Sequence, residues 1–150
     1  MRAILRLMLR VILPILMILT PLPALAWEAG RMGAICTLSD GSGNVVLTHD
    51  PSGPVYTITA RRADPWPEAA IFGMTFLGQN GLTITTDRHL RAPDGLSITV
   101  TDRGFGNLLA GMRGNDTATL FAGPARMTVS LAGAAPAIAI FEACAPLPLS

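Results

Sequence analysis

Lysine is absent from all 150 residues, and each of the 11 basic side chains is an arginine. The codon usage of a GC-rich genome accounts for this without any special binding chemistry. "GSGN" (41–44) is therefore no phosphate loop: no Lys-Ser/Thr pair follows its glycines, and no helix pattern starts there. Charge is scarce, at 14% of residues, while 50% are apolar, which excludes a disordered chain. Clustered positive charge is missing, and with it the electrostatic footprint of a nucleic-acid binder. No serine sits in a G-x-S-x-G elbow, so nothing marks a hydrolase of that kind. A bilayer-spanning run of ~20 apolar residues is missing as well, because Pro14, Pro21 and Pro23 interrupt the uncharged stretch from Val11.

What stands at the N-terminus has the three parts of a secretory leader. Arg2, Arg6 and Arg10 supply its positive end, "VILPILMILT" (11–20) its apolar centre, and "ALA" (24–26) a cleavage site before Trp27. The sequence thus predicts a signal peptide over residues 1–26 and a single exported domain over residues 27–150, with membrane contact only through the leader before cleavage. Cleavage would remove three arginines and leave eight against ten carboxylates, a formal net charge of −2. The slight basicity of the whole chain belongs to the leader. An oxidising compartment makes one disulfide, Cys36–Cys144, the simplest use of the only two cysteines.

From Trp27 onward, short Thr-, Val- and Ile-rich segments alternate with Gly, Pro, Asp and Asn clusters, the punctuation of an all-β domain. Strands are predicted at 34–39, 45–50, 55–62 and 70–78, the last more continuously apolar and hence central. Segments 82–88 and 96–102 read as one hairpin closed by "APDG" (92–95), and 117–123 with 125–131 as a final hairpin around Gly123-Pro124. That hairpin reading puts Asp87-Arg88 and Asp102-Arg103 at opposite ends of a sheet, as solvated rim charges. "GFGNLLAGM" (104–112) reads as one helical turn or a loop. "VSLAGAAPAIAIFEACAP" (129–146) carries a single charge, Glu142, yet it is no second membrane span. Met127, Val129 and Leu131 alternate as in a strand, Gly133 stops it, and Pro136 suits the first turn of a helix. Ala137, Ile140, Phe141 and Cys144 then form an apolar stripe that carries the cysteine toward Cys36.

Candidate chemistry is thin. The only histidines, His49 and His89, have Asp50 and Asp87 nearby. Were the strands to bring these four together, they would supply the three ligands of a catalytic metal site; otherwise they are loop residues near strand ends. Trp66, in "DPWPE" (64–68), stands between two prolines. It is either a stiffly presented partner contact or a lid over the sheet edge.

"PVYTITARRADPWPEAAIFGMTF", "GLTITTDRHL", "SITVTDRGFGNLLAGM" and "VSLAGAAPAIAIFEAC" together resemble a family of small, uncharacterised secreted proteins of alphaproteobacteria, over nearly the whole chain after the leader. Some members carry the label of an excinuclease ABC component, an ATP-dependent DNA-repair protein. The sequence lacks the Walker A motif, helicase motifs and basic groove which that activity needs, so the activity is not carried over. More loosely, the ending S-L-x-G-A-x-P-A-I-x-x-F-x-x-C is similar to periplasmic accessory proteins of type VI secretion and to the invasion-associated locus B group. That likeness implies a terminal helix ending in a disulfide cysteine.

The expectation is a mainly β protein, a β-sandwich or curved antiparallel sheet with one C-terminal helix tied down by Cys36–Cys144, periplasmic or secreted. It would be a non-catalytic binding or accessory module, without a cofactor, working through a protein partner. Two alternatives stay open: a small metal-dependent or hydrolytic enzyme using His49, Asp50, Asp87 and His89, and a binder of a small apolar ligand between the sheets, which a large lined cavity would indicate.

Overall fold

Along Val45–Asp50 and Val55–Arg61 the buried side chains, Val45, Leu47, Ile58 and Ala60, are separated by partly exposed ones. A period of two gives a strand one dry face and one wet face. The computed structural model describes residues 27–148; the expected leader and its cleavage site lie outside the described residues. The described elements run β1 (Trp27–Met32), β2 (Ile35–Asp40), β3 (Val45–Asp50), β4 (Val55–Arg61), β5 (Phe72–Leu77), β6 (Leu82–Thr86), β7 (His89–Arg91), β8 (Ser97–Asp102), α1 (Gly106–Arg113), β9 (Thr117–Ala122), β10 (Ala125–Ser130) and α2 (Ala134–Glu142).

The strands make two antiparallel sheets, a six-stranded one ordered β1-β2-β3-β4-β8-β7 and a four-stranded one ordered β10-β9-β5-β6. The mainly β, sandwich-like architecture with a C-terminal helix is therefore as the sequence predicts. Leu38, Leu47, Ile58 and Val100 share one register row of the larger sheet. Leu120, Met74 and Ile84 share one of the smaller. Both rows belong to a single apolar core. The opposite faces are threonine-rich. Thr128, Thr119, Thr75 and Thr83 cross the whole smaller sheet in register, with hydroxyl contacts of 2.8 Å (Thr119–Thr128) and 3.0 Å (Thr75–Thr83). Such cross-strand pairs contribute about 0.2–1 kcal/mol each, so these faces are built to be stable as well as wet.

One end of the sandwich is closed by the loop carrying Trp66, the other by the helices. Trp27 ties one edge across, its Nε1 donating to the Ser130 carbonyl of β10 at 2.8 Å. α2 docks on β1, β2 and α1. Just past its end Cys144 is bonded to Cys36, with Cα atoms 6.3 Å apart. α1 approaches closely because Gly111 has no side chain: a Cβ there would lie 2.6 Å from the buried Phe76 ring. Gly111→Ala should therefore destabilise by about 1–3 kcal/mol, as overpacking does, although the same change in an exposed helix would stabilise by about 1 kcal/mol. Thermal melting of that single variant checks the sign.

The structure departs from the sequence reading at five places. Trp27–Met32 is a strand, so Cys36 lies on the second strand and not the first. "WEAGRM" has no alternation to reveal it; pairing with β2 and cover from α2 hold it in place. Segments 82–88 and 96–102 are not hairpin partners. β6 pairs with β5 in the smaller sheet, and the strand that reaches β8 through "APDG" is β7. The switch occurs after Thr86, whose Oγ1 accepts the Arg88 N–H at 3.0 Å and turns the chain toward the other sheet. Residues 106–113 form a helix of eight residues, longer than the single turn or loop expected. Finally, the buried stripe of α2 uses Ala134, Ala137, Ile138 and Phe141, while Ile140 is 64% exposed. Docking against β1 and β2 selects the face centred on Ile138. The fifth departure, the placement of the Asp-Arg pairs, belongs to the cleft described below.

Candidate functional site

The two histidines are fixed by different strands and serve different neighbours. His49, on β3, sits in register between Cys36 and Tyr56. Its ring stacks on Tyr56 at 4.1 Å and meets Phe141 of α2 edge-on at 6.2 Å. His89, on β7, lies opposite Val100 and 6.1 Å from the Phe72 ring. Its Nδ1 is buried without a hydrogen-bond partner among the described residues. From β3 to β7 the order is β3-β4-β8-β7, three strand spacings or roughly 14 Å. Ligand bonds to one metal ion are about 2 Å long, so His49 and His89 are not brought together.

Asp50 and Asp87 stand apart as well. Asp50 ends β3 and closes its own turn, its Oδ1 accepting the Ser52 hydroxyl at 2.6 Å and the Ser52 N–H at 2.9 Å. These bonds, the hydroxyl's foremost, hold its carboxyl below the usual aspartate range. Asp87 is exposed beyond the end of β6. Among the described residues no group of three His, Cys, Asp or Glu side chains is placed to hold a metal ion. His49, Asp50, Asp87 and His89 do not form the metal site that their types would allow.

Trp66 is 0% exposed. Its Nε1 donates to the Ala60 carbonyl at 3.1 Å, its ring meets Phe72 edge-on at 5.8 Å, and the Arg62 guanidinium lies over it at 4.8 Å. The backbone on either side of the ring is also held: its N–H donates to Gly95 O, and its carbonyl accepts Arg91 Nε at 2.6 Å. Trp66 is thus the lid over the sheet edge, and its indole is not presented to a partner.

A cleft lies between the sheets, where the sequence reading leaves a small apolar ligand as an alternative without naming the residues that would line its site. It has a volume of about 690 Å3 and opens where the edge of the smaller sheet faces β8 and the segment leading into α1. Ile58 and Val100 line it from the larger sheet, Met74 and Ile84 from the smaller, and Phe105 and Leu108 from the α1 side. The volume falls within the ~300–1,000 Å3 of small-molecule sites, and apolar side chains line it beside a comparable share of polar ones. Asp87, Arg88, Asp102 and Asn107 line it too, and all four are exposed, so they stand at its mouth. The hairpin expected from the sequence sends Asp87-Arg88 and Asp102-Arg103 to opposite ends of one sheet. Because β6 and β8 belong to different sheets, Asp87, Arg88 and Asp102 meet at one opening instead. The alternating inward residues of β4, β5, β6 and β8 are readable one strand at a time. Their convergence on one hollow depends on the sheet assignment.

No helix among the described residues is long and apolar enough to cross a membrane. Comparison with family models, curated proteins and solved structures finds no match.

Proposed function

We propose that the chain is an exported, non-catalytic binding module whose ligand is a small molecule with an apolar body, seated between the sheets. The observation that carries this reading is the cleft of about 690 Å3 with Ile58, Met74, Ile84 and Val100 on its walls. The disulfide supports an oxidising compartment, and the leader pattern of residues 1–26 supports export. Burial of Trp66 removes the one candidate partner contact that the sequence offers. The enzyme reading needs His49 and His89 in one site.

A neutral dye whose fluorescence rises in apolar surroundings, such as N-phenyl-1-naphthylamine, provides the test. The parent protein should bind it saturably. Ile84→Trp, which adds volume inside the cleft, should weaken binding by at least about tenfold, equivalent to about 1.4 kcal/mol. Thr83→Trp, one residue away on the opposite face, should leave binding unchanged. A dye that the parent does not bind, or that Ile84→Trp binds as well as the parent, overturns the proposal.

A further inference from the structure

The charged groups at the mouth of the cleft belong to both signs, and among the described residues they are not spent on one another. Asp87 and Arg88 come from the end of β6, and Asp102 from the end of β8 in the other sheet. The one ion pair among the described residues joins Arg113 and Glu142, away from this opening. Among the described residues the Arg88 side chain has no hydrogen-bond partner, its backbone N–H alone being engaged, and neither has the Asp87 carboxylate. Among the described residues Asp102 accepts only the neighbouring Arg103 N–H, through Oδ1 at 2.6 Å, and Oδ2 has no partner. Below them the cleft is walled by Met74, Ile84 and Val100.

From this arrangement we infer that the ligand is a zwitterionic amphiphile, a molecule with an apolar body and a head that bears one cation and one anion. The inference rests on the cleft being the binding site. An ammonium or quaternary ammonium group would lie against the Asp87 and Asp102 carboxylates, which attract it by charge and would also accept hydrogen bonds from an ammonium's N–H groups. The anionic group, a carboxylate or phosphate, would engage the Arg88 guanidinium, whose planar fork suits such oxygens. A head of one sign would leave either the carboxylates or the guanidinium facing like charge. A neutral head would leave both unanswered, although the apolar contact would be kept. Two sources carry this chemistry, a single-chain lipid with a choline-phosphate head and a short apolar peptide with free termini.

Displacement of the neutral dye by molecules that share one dodecyl tail and differ only in the head decides the matter. The heads are phosphocholine, trimethylammonium, sulfate and maltoside, each used below its micelle concentration. The phosphocholine compound should bind at least about tenfold more tightly than the other three, because only its head answers the guanidinium with phosphate oxygens and the carboxylates with a cation at once. Arg88→Gln should abolish its advantage over the trimethylammonium head, and Asp87→Asn with Asp102→Asn its advantage over the sulfate head. All three positions are exposed, and melting curves would confirm that the variants fold. A parallel pair, tri-leucine with free termini and with acetylated and amidated ends, identifies the source. If the free tripeptide outcompetes both its blocked form and the phosphocholine, the inference holds with a peptide as ligand. Equal displacement by all heads, or preference for a single-charge head, overturns the zwitterion while leaving the cleft as a binding site. Failure of the dye and of every competitor to bind overturns both.

Discussion

Replacing Cys36 and Cys144 together by alanine should lower the melting temperature by roughly 15–20 °C. The bridge joins residues 108 apart in sequence. On the chain-entropy model a closed loop of about 100 residues restricts the unfolded chain by about 4.7 kcal/mol. For a domain of this size each kcal/mol corresponds to about 4 °C. The position of the bridge adds to its effect. Cys36 is fully buried on β2 and Cys144 follows α2, so the staple is also what holds the helix over β1 and β2. The Arg31 guanidinium, donating to the Ala145 carbonyl, is a weaker second tie at the same place. Reduction of the parent under non-denaturing conditions should reproduce the double alanine variant. A melting point within about 2 °C of the oxidised parent, well under the shift from 1 kcal/mol, would show that α2 docks without covalent help.

Trp66→Ala should have an effect of similar size, about 3–5 kcal/mol, the usual loss on truncating a fully buried aromatic. Trp66→Phe separates packing from hydrogen bonding. It keeps a ring against Phe72 and under Arg62 but gives up the Nε1 donor to Ala60, and should cost about 1–1.5 kcal/mol. Chemical denaturation of the two variants reads both quantities. An alanine variant as stable as the parent would mean that the 64–68 loop closes the sandwich end without its indole.

The features legible in the sequence are those decided within a few residues. β3 and the final hairpin fall where alternation and turn residues put them, and Pro136 stands in the first turn of a helix as expected. The disulfide follows from counting: two cysteines are most simply one pair. What is illegible depends on longer-range choices. "GLTIT" at β6 and "GLSIT" at β8 have the same local pattern yet lie in opposite sheets; the turn at Thr86–Arg88 separates them, and no strand propensity reports it. In α2, Ile138 and Ile140 are equally apolar, and only the surface beneath the helix decides between them. The cleft inherits this difficulty. Asp87 stands out in the sequence by its type, as a metal ligand, and it does stand at the candidate site. Its relevant companions there are Arg88 and Asp102, whose meeting requires the sheet switch to be known.

The alternation of the chain between sheets bears on how quickly the protein can fold. It builds four strands of the larger sheet, crosses to lay down β5 and β6, returns for β7 and β8, and crosses again for β9 and β10. β9 then fits between β10 and β5, a strand that was laid down some forty residues earlier. The larger sheet is complete only at Asp102 and the smaller only at Ser130. The free edge of β5 must wait unpaired for β9, and distant pairings of this kind are slow because loop closure precedes any reward. A chain that becomes available from its N-terminus would therefore spend its longest vulnerable interval with β5 and β6 formed and β9 still missing. That interval is when an unpaired strand edge invites aggregation.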